Sequence, residues 1–164
     1  TLLPLDQNFQ VLIQGSGSKE IETALAGLAA TPKNQGRICL LRGYDQQLAN
    51  RIYAAGDFFL IPSRYEPCGL TDYIAQLYGN LPIVHHIGGL VKVQDGKTGF
   101  SYPEHTSAAL TDAMRTALQT FRRNPEKIKA MQQAAVKTIH DTYTWDKVLA
   151  HYLSLYREAL SQVQ

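Results

Sequence analysis

Phe58-Phe59-Leu60-Ile61-Pro62-Ser63-Arg64-Tyr65-Glu66-Pro67-Cys68-Gly69-Leu70-Thr71 reads as a strand, a loop and the opening of a helix. Phe58 to Ile61 is a short unbroken apolar run, the pattern of a strand covered on both faces in a parallel sheet, and Pro62 ends it. Gly69 lets the backbone come close to a ligand. The amides of Gly69, Leu70 and Thr71 are expected in the first helical turn, where unpaired donors and the positive end of the helix dipole face outward. Such a turn suits phosphate, with the Thr71 hydroxyl as a further donor. Glu66 stands a few residues earlier; a carboxylate repels phosphate but pairs well with the hydroxyls of a sugar. One reading is therefore a nucleotide-sugar site. The other is an ordinary strand-to-helix loop, with Glu66 solvated and Thr71 capping the helix.

Working outward, apolar runs and helical periodicity alternate. Strands are expected over residues 9–14, 37–41, 58–61 and 82–85, with a short extended piece at 100–102. Helices are expected near 19–29, 46–55 and 70–78, and three more run to the end. This alternation predicts an α/β fold, a doubly wound parallel sheet with right-handed crossovers. Ligands in such sheets lie beyond the carboxyl ends of the strands. In the last third, Ala109, Leu110, Ala113, Met114, Ala117, Leu118 and Phe121 recur at helical spacing, and Asn124-Pro125 starts the next helix. Tyr143-Thr144-Trp145-Asp146 opens a final helix, 144–162, with a wide apolar and aromatic surface that needs this sheet or another partner to cover it.

The 164 residues suit one domain, 1–164, and 45% hydrophobic with 18% charged residues suits a folded chain throughout. A net charge of +2 without a Lys/Arg stripe argues against nucleic acid and anionic membranes. No apolar run reaches membrane-spanning length and the first residues lack a signal-peptide layout, so a soluble, cytoplasmic setting is expected. Of the two cysteines, Cys39 sits in an apolar run and is expected as a buried core thiol, while Cys68 matters more for its backbone than for its sulfur.

Other loops follow strand ends. Gly15-Ser16-Gly17 resembles half of a dinucleotide fingerprint, but the third glycine is missing, so it reads as a tight turn that brushes a ligand or as a plain turn. In Gly43-Tyr44-Asp45, the Tyr44 ring is placed to stack on a base, and Asp45 could cap the following helix. His85 and His86 point to opposite faces of a strand and make a poor metal pair, so no metal is assigned. Gly88-Gly89 permits a sharp turn near a ligand. Asp95-Gly96-Lys97-Thr98-Gly99 reads as structural turns.

Ser63 to Thr71, together with Tyr78-Gly79-Asn80-Leu81-Pro82-Ile83-Val84, Gly88-Gly89-Leu90, Thr98-Gly99-Phe100 and Tyr143-Thr144-Trp145, resembles the C-terminal half of bacterial glycogen synthases and plant starch synthases. The resemblance spans nearly the whole chain, and its Glu-Pro-Cys-Gly-Leu-Thr block is specific to that family. It implies a Rossmann-like domain, the C-terminal half of a GT-B enzyme with two facing Rossmann domains. It also implies transfer of glucose from ADP-glucose to the nonreducing end of an α-1,4-glucan, with retention and with no cofactor or divalent metal. The absence of any Asp-x-Asp agrees.

By the same resemblance, Glu66 would hold the donor glucose as the catalytic residue. Cys68, Gly69 and Leu70 would contact glucose and diphosphate through their amides, Thr71 would bind phosphate, Tyr44 would stack on adenine, and Gly15 and Gly17 would line the nucleotide side. Gly88 and Gly89 are further candidates. Relatives often carry a second acid at the position of Ile74, for which Asp72 is the candidate substitute. They also often carry an acid where Lys92 stands. The family's phosphate-binding Arg and Lys segment and its Lys-x-Gly-Gly-Leu domain would precede Thr1, so an excised half, inactive alone, is expected. Its partners would be ADP-glucose or ADP, the glucan and the missing N-terminal domain, in the bacterial cytoplasm, or in the plastid stroma for a plant. The alternatives are a nonenzymatic nucleotide-sugar or glucan-binding module and a related transferase using a UDP- or GDP-sugar.

Overall fold

The computed structural model describes residues 8–162, which divide at Ala55/Gly56 into two compact units. In unit 1, strands β1 (Val11–Gly15) and β2 (Ile38–Arg42) pair in parallel, with Leu12 opposite Cys39. Helix α1 (Lys19–Ala30) begins where the Ser18 hydroxyl accepts the Ile21 amide, as a side-chain N-cap should. A 3-10 turn at Pro32–Asn34 leads into β2, and helix α2 (Gln46–Ala55) follows it. Side chains alternate across a strand. Cys39 therefore shares its sheet face with Leu12, and both are exposed. The expectation of a buried Cys39 thiol fails for this reason: the apolar run is real, but Ile38 and Leu40 occupy the better-covered face.

Unit 2 holds strands β3 (Phe58–Ile61), β4 (Leu81–His85) and β5 (Phe100–Tyr102), all parallel and in the order β3-β4-β5. All five residues of the central β4 are buried, as continuous apolar strands are when both faces are covered. Ile61, Val84, Leu90 and Val93 form a core cluster on which Phe59 packs. Helix α3 (Thr71–Leu77) packs on β3 and β4 and ends at Gly79, whose φ of +88° needs glycine, with the Asn80 amide donating to the Ala75 carbonyl. A 3-10 turn spans Gly88–Lys92. Helix α4 (Ser107–Arg123) is capped by the Thr106 hydroxyl, and α5 (Pro125–Thr142) by the Asn124 side chain with Pro125 in its first turn.

Helix α6 (Trp145–Ser161) buries no residue: Trp145 is 81% exposed, and Leu149, Tyr152, Leu155, Tyr156 and Leu160 are exposed with it. No helix among the described residues is long and apolar enough to cross a membrane. The alternation of parallel strands with helices is the α/β architecture expected from the sequence, with element ends displaced by at most two residues.

Candidate functional site

The loop between β3 and α3 is seated on the 3-10 turn that follows β4. The Gly89 amide donates to the Glu66 carbonyl at 2.7 Å. A Cβ at Gly89 would stand 2.0 Å from the Cys68 carbonyl oxygen, and one at Gly88, where φ is +52°, would stand 2.1 Å from that of Glu66. The two glycines are thus required because backbone lies directly on backbone. Gly69 is also required: its φ is +72°, and a Cβ there would meet Leu90 Cδ2 at 2.9 Å and Asp72 Oδ1 at 3.0 Å.

Because a left-handed residue cannot lie inside an α-helix, α3 starts later than the sequence suggests. Of the three amides expected in its first turn, only that of Thr71 lies within the helix; Leu70 is the N-cap and Gly69 precedes it. Thr71 is exposed and does not cap α3. Among the described residues, the amides of Cys68, Gly69, Leu70 and Thr71 donate to no group of the protein. Four consecutive unused donors, with Gly69 left-handed and Leu70 right-handed, are available to an oxyanion. Glu66 is half-buried beside them, and its Oε2 accepts from the Ser63 hydroxyl at 3.2 Å. The loop's entry is fixed by two imidazoles: His85 Nδ1 is 2.8 Å from the Ser63 carbonyl oxygen and His105 Nε2 is 3.1 Å from that of Pro62.

Asp72 does not face solvent. Its carboxylate is fully buried and lies 3.2 Å from Lys92 Nζ. Burial pushes the Asp72 carboxyl up to about 6, against the lowering effect of Lys92. This placement suits a structural acid rather than the hydroxyl ligand expected to replace the missing acid at Ile74. Lys92 itself escaped the sequence reading as a functional residue; the signal was the combination of an unusual lysine after Gly-Gly-Leu with an aspartate at 72.

In unit 1, a cavity of about 590 Å³ opens at the carboxyl ends of β1 and β2, lined by Gln14, Leu40, Arg42, Tyr44, Asp45 and Leu48 among others. Tyr44 is 73% exposed and its hydroxyl donates to Gln46 Oε1 at 2.5 Å. Asp45 caps α2, accepting the Leu48 amide, and its carbonyl accepts from the Gln14 side chain. Gly15 and Gly17 stand outside the cavity lining. Their polar groups are engaged: the Gly17 amide donates to Glu22 Oε1 at 3.0 Å, and the Gly15 carbonyl accepts the Gly43 amide. The expected site residues therefore fall into two groups, with Tyr44 at the cavity in unit 1 and Glu66, Cys68, Gly69, Leu70, Thr71, Gly88 and Gly89 in unit 2.

The sequence model of a family described as glycosyl transferases group 1 matches residues 2–120. A glycogen synthase of Pseudomonas syringae pv. tomato is 38% identical over 93% of this chain and 31% of its own length. A glycogen synthase of Deinococcus radiodurans is 37% identical over 96% of this chain and 34% of its own. The chain spans about a third of the length of these curated relatives. Among solved structures, the catalytic domain of starch synthase IV from Arabidopsis thaliana, bound to ADP and acarbose, superposes with a TM-score of 0.79 at 27% identity, covering 96% of this chain and 34% of that one.

Proposed function

The chain belongs to the group 1 glycosyl transferases, and from that premise we propose that it is the donor-binding part of a retaining glucosyltransferase moving glucose from ADP-glucose to the nonreducing end of an α-1,4-glucan. The observation that carries this reading is the run of four unused amides at Cys68, Gly69, Leu70 and Thr71 beside the Glu66 carboxylate. In the reaction, the bond between the glucose anomeric carbon and the diphosphate breaks as the glucan 4-hydroxyl oxygen bonds to that carbon; negative charge grows on the leaving ADP, which takes up the hydroxyl proton. Fixed amide dipoles and the Thr71 hydroxyl offset that charge without reorganising, which lowers the barrier. The Glu66 carboxylate accepts hydrogen bonds from hydroxyls of the glucose and so orients the anomeric carbon. Tyr44 offers an exposed ring to the adenine.

The ADP held by the starch synthase supports the choice of adenine nucleotide, and the relatives' name supports a glucan product. In this reading the donor is the only small molecule required besides the glucan, residues 1–164 act as one Rossmann-like domain, and the reaction takes place in the bacterial cytoplasm. The exposed apolar face of α6 suits packing against the remainder of a longer protein, and the chain alone is inactive.

Calorimetric titration of the chain with ADP, ADP-glucose, UDP-glucose and maltoheptaose tests the reading. ADP and ADP-glucose are expected to bind in preference to UDP-glucose, and Thr71→Val and Tyr44→Ala are expected to weaken both. Equal affinity for UDP-glucose would favour a different transferase, and maltoheptaose binding without nucleotide binding would favour a glucan-binding module.

A further inference from the structure

Lys92 closes the 3-10 turn after β4, and only 12% of its side chain is exposed. Its Nζ lies 2.5 Å from the Cys68 carbonyl oxygen, 2.5 Å from that of Gly69 and 3.2 Å from Asp72 Oδ1, and it sits 3.8 Å above the centre of the Tyr73 ring. An ammonium has three protons to donate. Two are given to the Cys68 and Gly69 carbonyls and the charge is paired with Asp72, so Lys92 is not free to serve a ligand phosphate without releasing the loop.

The consequence lies in the peptide planes. In a trans peptide, the carbonyl of one residue and the amide of the next point in opposite directions from the same rigid plane. Drawing the Cys68 carbonyl inward turns the Gly69 amide outward, and drawing the Gly69 carbonyl inward does the same for Leu70. We propose that Lys92 is a positioning residue of the donor site, gripping the Cys68 and Gly69 carbonyls so that the Gly69 and Leu70 amides are presented to the diphosphate of a nucleotide sugar. This rests on reading the loop as the donor site. An acid, which the family resemblance leads one to expect at position 92, could not make these contacts because it has no proton to give a carbonyl. The grip therefore depends on a lysine at this position, with Asp72 as the counter-charge of the enclosed ammonium.

Three variants of the chain separate the parts: Lys92→Met removes the donors, Lys92→Arg keeps them, and Asp72→Asn removes only the counter-charge. Affinity for ADP is read by calorimetry, and exchange of the Gly89 amide, bonded to Glu66, is read by NMR beside that of Ile83 and Val84 in β4. Lys92→Met is expected to weaken ADP binding roughly tenfold, the scale of a lost charge-assisted hydrogen bond, and to speed Gly89 exchange while β4 is unchanged. Lys92→Arg and Asp72→Asn are expected to keep most of the affinity. ADP affinity and Gly89 exchange unaltered in Lys92→Met, or Asp72→Asn as impaired as Lys92→Met, would overturn the proposal. Should Lys92→Met not fold, affinity lost in Lys92→Arg together with Asp72→Asn would overturn it equally. Absence of ADP binding to the unmodified chain would instead count against the donor reading, and Gly89 exchange alone would then decide whether Lys92 grips the loop.

Discussion

In unit 2 every residue of β4 is buried, whereas in unit 1 Asn34 is the only fully buried residue among those described, and neither α1 nor α2 buries one completely. The loop carbonyls of unit 2 are held by half-buried partners, the Gly89 amide and a Lys92 side chain that is only 12% exposed. The cavity of unit 1 is bounded by groups tied through exposed contacts: Tyr44 to Gln46, Gln14 to the Asp45 carbonyl, and Arg42 at 3.8 Å from Glu22. Exposed ties of this kind contribute little each. The difference teaches where precision is needed. Charge developing on a leaving group demands fixed dipoles, while an aromatic ring beside a base tolerates movement.

Gly89→Ala strains this contrast hardest. With the new Cβ 2.0 Å from the Cys68 carbonyl oxygen, the loop or the 3-10 turn must move, and a loss of about 3 kcal/mol of stability is expected in thermal or urea unfolding. A near-neutral result would show that unit 2 yields as easily as unit 1, and the comparison would fail. Gly79→Ala is the control, because open space surrounds that position; only the left-handed backbone is penalised, by about 1–2 kcal/mol.

The enclosed Asp72 gives unit 2 a pH dependence of its own. Its carboxyl is raised from 3.8 to about 6 in the folded chain, chiefly by burial. Folding therefore favours its protonated form. The stability it contributes is fully present below the unfolded value and is lost as pH rises through about 6. At about 1.4 kcal/mol per pK unit, the stability of the unmodified chain minus that of Asp72→Asn should fall by on the order of 3 kcal/mol between roughly pH 3.5 and 7. A pH-independent difference would mean that Lys92 and the neighbouring Asp72 and Tyr73 amides already satisfy the carboxylate. Burial outweighs the lowering effect of Lys92 on Asp72, as is common for enclosed ions, and a positional role for Lys92 gives another reason for its presence.

From the sequence, one domain over 1–164 is expected and not this contrast, but much of the local fold was legible in advance. The apolar runs at 58–61 and 82–85 lie in strands, and Asn124-Pro125 starts a helix where the sequence indicates. Glu66 and its neighbours were located by the strand-loop-helix pattern. Two things were hidden. Cys39 looked buried because a run of apolar residues does not tell which face of a thin sheet has a cover. The Lys92 grip was hidden because it joins residues more than twenty positions apart through main-chain carbonyls, and carbonyls are the same in every sequence.

The smallest expected effect belongs to Tyr44. Its ring is 73% exposed and its hydroxyl is tied only to Gln46 two residues along, so Tyr44→Ala should leave stability within about 0.5 kcal/mol of the unmodified chain. If the ring stacks on adenine, the same substitution should weaken ADP binding by about 1 kcal/mol, the usual worth of such a pair, and should leave binding of pyrophosphate alone unchanged. The second measurement is the sharper one, because it separates a base contact from a general loosening of unit 1. Loss of pyrophosphate binding in Tyr44→Ala would mean that the thinly covered unit also sets the geometry of the diphosphate loop, and the division of labour between the two units would have to be withdrawn.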